Sequence, residues 1–215
     1  MTEDEIIDNG HLYSSLSETA YLRNKKGKEN HLEKQKIDDY FLEHSLTDKY
    51  NTVFINPDEK KLVMAIRGTD INNKQNGRME DLITDGFLSF GLETITPRYR
   101  KSDKKVLELK DQYSDYDITL TGHSLGGTIA RELAIKHNIP AHIFNHGNTA
   151  AHIKRSHQQY FSNILAKDKR KLLNNYIVMG DVISNSSLLD RTMTNHIYDK
   201  KENHSAHALD NFYKE

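Results

Sequence analysis

The sequence contains no cysteine and no tryptophan, and only three of its 215 residues are proline. The absence of cysteine excludes disulfide bonds, zinc sites with thiolate ligands and cysteine nucleophiles, and it is typical of a reducing compartment. No apolar run approaches the roughly 20 residues that a membrane-spanning helix needs. The first ten residues, MTEDEIIDNG, lack the basic region and apolar run of a secretory signal. These features predict a cytoplasmic protein that does not insert into a membrane.

The chain also lacks an excess of charge of one sign. It has 30 basic and 31 acidic residues, with a formal net charge of -1. No overall field would attract nucleic acid or an anionic membrane surface, so we expect a small-molecule partner and no nucleic acid. Twelve histidines are present, but no His-Glu-x-x-His pattern accompanies them. The sequence therefore predicts no metal and no cofactor.

Strand and helix patterns alternate from about residue 52 onward. NTVFINPDEKKLVMAIRG predicts two strands joined by a turn at 57–60, and DITLTG and NYIVMG predict further strands. RYRKSDKKVLELKDQYSD predicts a solvent-facing helix with Val106, Leu107 and Leu109 turned inward. This alternation predicts an α/β fold with a mostly parallel central sheet and helices on both faces, compact and without a large cap. We expect one domain over 1–215, in which 1–45 form a polar, helical N-terminal extension.

The segment DITLTGHSLGGTIARELAI contains the pattern G-x-S-x-G around Ser124. The pattern lies between a predicted strand and a predicted helix that ends near Asn138, which is the context that this motif requires. A sharp strand-to-helix turn exposes the serine hydroxyl at the carboxyl end of the sheet, and Gly122 and Gly126 allow the strand and the helix to approach each other. Ser124 is therefore a candidate nucleophile.

A nucleophilic serine needs a base and an acid, which in α/β-hydrolases follow it in the order acid, then histidine. Asp181 follows a predicted buried strand and so lies at the same sheet edge as Ser124, whereas Asp190 and Asp199 lie in more polar loops. His204 and His207 follow the last predicted strand, and position alone does not separate them as the base.

Stabilising the oxyanion of an acyl-transfer reaction requires two hydrogen-bond donors. The N–H of Leu125, directly after the serine, is the first candidate. The second is the N–H of Thr69, which follows the predicted strand LVMAI in the segment RGTD.

Five segments of the chain together resemble the class three lipases, the fungal-lipase-like branch of the α/β-hydrolases. They are AIRGT, DLITD, TGHSLGG, VMGDVIS and HALDNF, and they cover roughly residues 50–213. The resemblance implies an α/β-hydrolase-like fold with a lipase-like core over 50–213. It also implies Ser124 as nucleophile, Asp181 as acid, His207 as base, and Thr69 with Leu125 at the oxyanion hole.

The activity that this resemblance implies is hydrolysis of carboxylic esters through an acyl-enzyme. Lipases of this family usually carry an amphipathic lid after the oxyanion loop, whereas DINNKQNGRME is almost entirely polar here. We therefore expect short-chain or polar lipid esters as substrates. Two alternatives remain: a catalytically silent lipase-like binding or signalling protein, and an acyltransferase that uses the same serine.

Overall fold

A computed structural model describes residues 2–22, 36–68, 92–147, 172–181, 184, 188, 193–202 and 204–213. Within these residues the chain forms eight strands, three helices and one 3-10 helix. In chain order they are α1 (Glu3–Leu22), β1 (Lys36–Ile37), β2 (Tyr40–Leu42), β3 (Asn51–Asn56), β4 (Lys61–Ile66), α2 (Leu92–Gln112), β5 (Asp117–His123), α3 (Leu125–His137), β6 (Ala141–Phe144), β7 (Leu173–Val178), β8 (Thr194–Tyr198) and the 3-10 helix Leu209–Phe212.

The eight strands form one sheet whose spatial order is the chain order, β1 to β8. The four strands β1 to β4 pair antiparallel, and each strand from β4 to β8 runs parallel to its neighbour. The turn at 57–60 joins β3 to β4 as the sequence predicts. The carboxyl ends of β4 to β8 therefore lie at one edge of the sheet, where ligand sites of parallel sheets form.

Alternation along the strands divides the core into two layers, one on each face of the sheet. On β4, Leu62, Met64 and Ile66 pack with the buried residues of α2 and α3. Val63 and Ala65 of the same strand face the other way, toward α1 and the 3-10 helix. The predicted α/β-hydrolase-like fold, with a mostly parallel sheet and helices on both faces, is confirmed.

Helix α1 begins with a reciprocal pair of hydrogen bonds. The backbone N–H of Thr2 donates to the Glu5 carboxylate at 2.7 Å, and the N–H of Glu5 donates to the Thr2 hydroxyl at 3.3 Å. This arrangement satisfies two N–H groups that the start of a helix leaves open. Leu16 and Ala20 are buried against the sheet, so α1 forms part of the core on that face.

Two local details differ from the sequence predictions. In the extension 1–45, which was predicted to be helical, α1 is followed by a hairpin of β1 and β2 that extends the sheet through β3. Leu107 was predicted to face inward, but it is 53% exposed, whereas Val106 and Leu109 are fully buried. Val106 and Leu109 are three residues apart and share one helix face, and the 100° rotation per residue turns Leu107 away from it.

Candidate active site

Ser124 occupies the turn between β5 and α3, as the G-x-S-x-G pattern predicts. Its φ is 56° and its ψ is −126°, a combination that L-residues rarely adopt, and it is 4% exposed. Its N–H donates to the carbonyl of Phe144 at 3.0 Å, and its carbonyl accepts from the N–H of Thr128 at 3.1 Å. The turn is thus held from both sides in a strained conformation, a feature that clusters at functional sites.

Close contact between strand and helix explains the glycines on either side of Ser124. A Cβ atom on Gly126 would lie 2.0 Å from the carbonyl oxygen of Ile66, on β4, and one on Gly122 would lie 2.5 Å from the carbonyl carbon of Gly126. Both neighbours are backbone atoms that no side-chain rotation can move. Only glycine therefore allows the start of α3 to approach β4 and β5 this closely.

Asp181 and His207, the predicted acid and base, are hydrogen-bonded to each other. Nδ1 of His207 lies 3.0 Å from Oδ2 of Asp181, and both side chains are largely buried. Because a carboxylate only accepts, Nδ1 carries the proton and the lone pair of neutral His207 is on Nε2. Nε2 is buried and makes no hydrogen bond with any residue that the structure describes.

The other candidate base, His204, lies elsewhere. Its Nδ1 is 2.9 Å from the carbonyl of Glu202, and its Nε2 is 3.7 Å from the carboxylate of Asp210. The ring is also partly exposed. The geometry therefore separates the two histidines where sequence position did not: His207, and not His204, contacts Asp181.

Of the two predicted oxyanion donors, the structure describes Leu125 but not Thr69. Leu125 is the first residue of α3, so its N–H has no acceptor within the helix and lies at the positive end of the helix dipole. Thr69 lies outside the described residues. The chain just before it is anchored by Arg98 of α2, whose guanidinium donates to the carbonyls of Arg67 and Gly68.

His123, directly before the nucleophile, contacts the base. Its Nε2 lies 2.7 Å from the carbonyl oxygen of His207, and the two rings lie 4.6 Å apart between centroids. Burial lowers the pKa of His123 to about 3, and the nearby His207 acts in the same direction. His123 is therefore neutral in the folded protein near neutral pH.

Two buried asparagines fix the loop that carries His207. Asn145, after β6, donates to the carbonyl of Ala206 at 3.1 Å and accepts from the N–H of Val178 at 3.0 Å. Asn211 donates to the carbonyls of Ser205 and Ala208 at 2.8 and 2.9 Å. Reasoning from the sequence missed both asparagines, and also Arg98 and His123. The partners of Asn145, Arg98 and His123 are distant in the chain, and no local pattern marks the bonds that Asn211 makes to nearby carbonyls.

His146, two residues after the end of β6, is fully buried. A Cβ atom on Gly127 would lie 3.0 Å from the Cβ of His146, so the residue packs behind the start of α3. The sequence segments 81–85 and 70–80 lie outside the described residues. In the part of the chain that the structure describes, no helix is long and apolar enough to cross a membrane.

Several solved structures share this fold. A deletion variant of the Rhizomucor miehei lipase propeptide complex is 15% identical, with a TM-score of 0.61 over 93% of this chain and 69% of that one. The Rhizomucor miehei triacylglyceride lipase is 15% identical, with a TM-score of 0.58 over 93% and 81% of the two chains. The Lip2 lipase from Yarrowia lipolytica is 17% identical, with a TM-score of 0.55 over 87% and 75%.

At these identities the structural likeness establishes the fold, and no curated protein matches the chain in sequence. The family is established by a family model for a phospholipase-like, Tle-like phospholipase domain, which matches residues 12–209. The resemblance to fungal-type lipases is confirmed, and a lipase-like fold supports an ester-hydrolase function. With most of its length matched, the chain belongs to the Tle-like phospholipase domain family.

Proposed function

We propose that the chain is a serine hydrolase of carboxylic esters, with Ser124 as nucleophile, His207 as base and Asp181 as acid. The observation that carries the proposal is the Asp181–His207 pair. Its Nδ1···Oδ2 distance of 3.0 Å fixes the tautomer in which Nε2 carries the lone pair. His123 joins this pair to the strained serine, because it precedes Ser124 in the chain and bonds to the backbone of His207.

The reaction follows from this arrangement. Nε2 of His207 takes the hydroxyl proton as Oγ of Ser124 bonds to the ester carbonyl carbon, and Asp181 stabilises the imidazolium that forms. The N–H groups of Leu125 and Thr69 bind the oxyanion, at about 3 kcal/mol for each donor. The C–O bond to the leaving alcohol then breaks, and that oxygen takes the proton from Nε2. Water, deprotonated by His207, hydrolyses the acyl-enzyme and regenerates the serine.

We further propose polar lipid esters, phospholipids among them, as the substrate class. The family that the chain belongs to is phospholipase-like. The segment DINNKQNGRME at 70–80 is polar and could not cover an apolar site or bind an oil surface through an apolar face. In this scheme the bond that is cleaved is the carboxylic ester, so the products are a fatty acid and a lysophospholipid.

A substrate panel tests the proposal. Wild-type protein and Ser124→Ala are assayed on phospholipid mixed micelles, on triacylglycerol emulsions and on p-nitrophenyl esters of increasing chain length. We expect serine-dependent release of fatty acid from phospholipid and from short esters, with little from the emulsion. Release of phosphate or of a free headgroup, or equal activity in Ser124→Ala, would contradict the proposal.

A further inference from the structure

The carboxyl end of α1 reaches the turn that carries Ser124. The hydroxyl of Tyr21 lies 3.1 Å from Nδ1 of His123 and 3.2 Å from the carbonyl oxygen of the same residue. It also touches the backbone that leads to the proposed oxyanion loop, since a Cβ atom on Gly68 would lie 2.0 Å from it. A residue near the N-terminus thus contacts two separate parts of the proposed active site.

The protons of this group can be assigned from its partners. The carbonyl oxygen of His207 can only accept, so the 2.7 Å contact requires a proton on Nε2 of His123. Burial lowers the pKa of His123 to about 3, so the ring carries one proton only and Nδ1 is an acceptor. The Tyr21 hydroxyl is therefore the donor in its contact with Nδ1, and its single proton is shared between Nδ1 and the carbonyl oxygen of His123. The contact with Nδ1 favours the tautomer that bonds to His207.

The loop that carries His207 depends on such bonds for its position. The described residues 199–202 and 204–208 lie between β8 and the 3-10 helix and belong to neither. Four consecutive carbonyls of this loop, Ser205 to Ala208, each accept a hydrogen bond from a side chain outside it. Asn145 and Asn211 provide three of these bonds, and His123 provides the one to His207 itself.

We infer that Tyr21 and His123 are positioning residues of the proposed reaction, acting through the His207 carbonyl to fix the position of the base relative to Ser124. This inference rests on the proposed function of Ser124 and His207. It makes α1 a part of the active site: the Tyr21 hydroxyl orients His123, and His123 fixes the backbone from which the imidazole of His207 projects. Neither residue reacts with the substrate.

The size of the effect follows from what misplacement does to a reacting group. A shift of about 1 Å in a catalytic group costs on the order of 100-fold in rate. Tyr21→Phe keeps the ring and removes only the hydroxyl, so we expect about a 10-fold fall in kcat with KM unchanged. His123→Leu removes both bonds, and we expect a fall approaching about 100-fold. His123→Gln keeps an N–H donor near the position of Nε2 and should recover part of the loss.

The matched control is Tyr198→Phe. The Tyr198 hydroxyl donates to the carbonyl of Ile6, near the start of α1, at 3.4 Å. The variant therefore removes a tyrosine hydrogen bond that involves the same helix, at the end opposite to Tyr21. We expect Tyr198→Phe to react with a fluorophosphonate as fast as the wild-type protein. Urea unfolding of every variant shows that the folded state is intact under the assay conditions.

Two readouts separate failure of this inference from failure of the proposed function. The first is the rate at which a fluorophosphonate labels Ser124. The second is the downfield NMR resonance of the Nδ1 proton between His207 and Asp181, which reports the position of the base without any reaction. The inference predicts slower labelling and a shifted resonance in Tyr21→Phe, with a further change in His123→Leu and partial rescue in His123→Gln.

Each outcome has one interpretation. If wild-type protein is not labelled but the resonance shifts in Tyr21→Phe, the proposed function fails and the positioning role stands. If wild-type protein is labelled and Tyr21→Phe and His123→Leu match Tyr198→Phe in rate and resonance, the positioning role is overturned. If His123→Gln is as slow as His123→Leu, the bond to the His207 carbonyl is not what the ring contributes, which also overturns the inference.

Discussion

The contact between Gly126 and β4 makes Gly126→Ala a severe test of how the site is built. The added Cβ atom would lie 2.0 Å from the carbonyl oxygen of Ile66 and 2.9 Å from the backbone nitrogen of Gly68. Real Cβ atoms keep at least 3.0 Å from such neighbours, so α3 and β4 must separate by about 1 Å. The two strand ends that this separation moves apart carry Ser124 and the proposed oxyanion loop.

Two opposing contributions determine how much Gly126→Ala changes the free energy of unfolding. Overpacking a well-packed contact costs about 1–3 kcal/mol, and both atoms here belong to rigid backbone, so the upper value applies. Replacing glycine by alanine within a helix stabilises the helix by about 1 kcal/mol. We therefore expect a net loss of about 2 kcal/mol in the free energy of unfolding. Because the donors and the nucleophile move relative to each other by about 1 Å, we expect about a 100-fold loss in kcat/KM.

Gly10→Ala is the matched control for this variant. Gly10 is also a helical glycine, but its nearest neighbour would be the Tyr198 hydroxyl, at 2.5 Å, the far end of a side chain that can move. Urea unfolding and p-nitrophenyl ester hydrolysis measure both variants. We expect Gly10→Ala to stay within about 1 kcal/mol and a factor of two of the wild-type protein. If Gly126→Ala keeps the same stability and activity as Gly10→Ala, then α3 and β4 do not approach each other as closely as described.

Three further predictions concern the acid, the buried histidines and the base loop. Asp181→Asn should lower kcat by about 10⁴-fold, since the His207 tautomer is lost, with an unchanged circular dichroism spectrum; near-wild-type kcat would place the acid elsewhere. Burial lowers the pKa of His142 and His123 from 6.5 to about 3 in the folded state. As the pH falls from about 6.5 toward 3, the two imidazoles therefore become protonated in the unfolded state but not in the folded state, and the free energy of unfolding decreases. Each histidine then lowers the free energy of unfolding by about 2 kcal/mol between pH 7 and pH 5. In urea unfolding, His142→Gln should lose less of this free energy over the same range than the wild-type protein. Asn211→Ala removes the side-chain donor to the Ser205 and Ala208 carbonyls and the acceptor of the Lys201 N–H, although the Ala208 N–H still donates to the Ser205 carbonyl. We expect a loss of about 2 kcal/mol in unfolding free energy together with a lower kcat; loss of stability with unchanged kcat would show that the loop holds His207 by other means.

The parts of the fold that sequence predicted best are those that local chemistry determines. The G-x-S-x-G pattern between an apolar strand and a helix predicted the turn at Ser124. The helix after it ends at His137 and is closed by Asn138 in the left-handed conformation, with φ 54°, so its end lies where the sequence predicts. Asp181 follows a fully buried strand, as the apolar run YIVMG predicts. In each case neighbouring residues carry both the signal and the structure.

What sequence could not predict depends on contacts between distant segments. The β1–β2 hairpin comes from a polar region, and it is stabilised by pairing with β3 and by burial of Tyr40 in the core. The bond from Tyr21 to His123 spans 102 residues, and the one from His123 to His207 spans 84. Periodicity reports which face of an element is buried, but it carries no information about which polar side chain meets which carbonyl across the fold.

The most direct test of the central claim is covalent labelling of the purified protein by a fluorophosphonate, read by intact mass and by peptide mapping. The account predicts one equivalent of label on Ser124, no label in Ser124→Ala, and much slower labelling in Asp181→Asn. A folded protein that takes no label, or that is labelled equally in Ser124→Ala, would contradict the claim that Ser124 is an activated nucleophile.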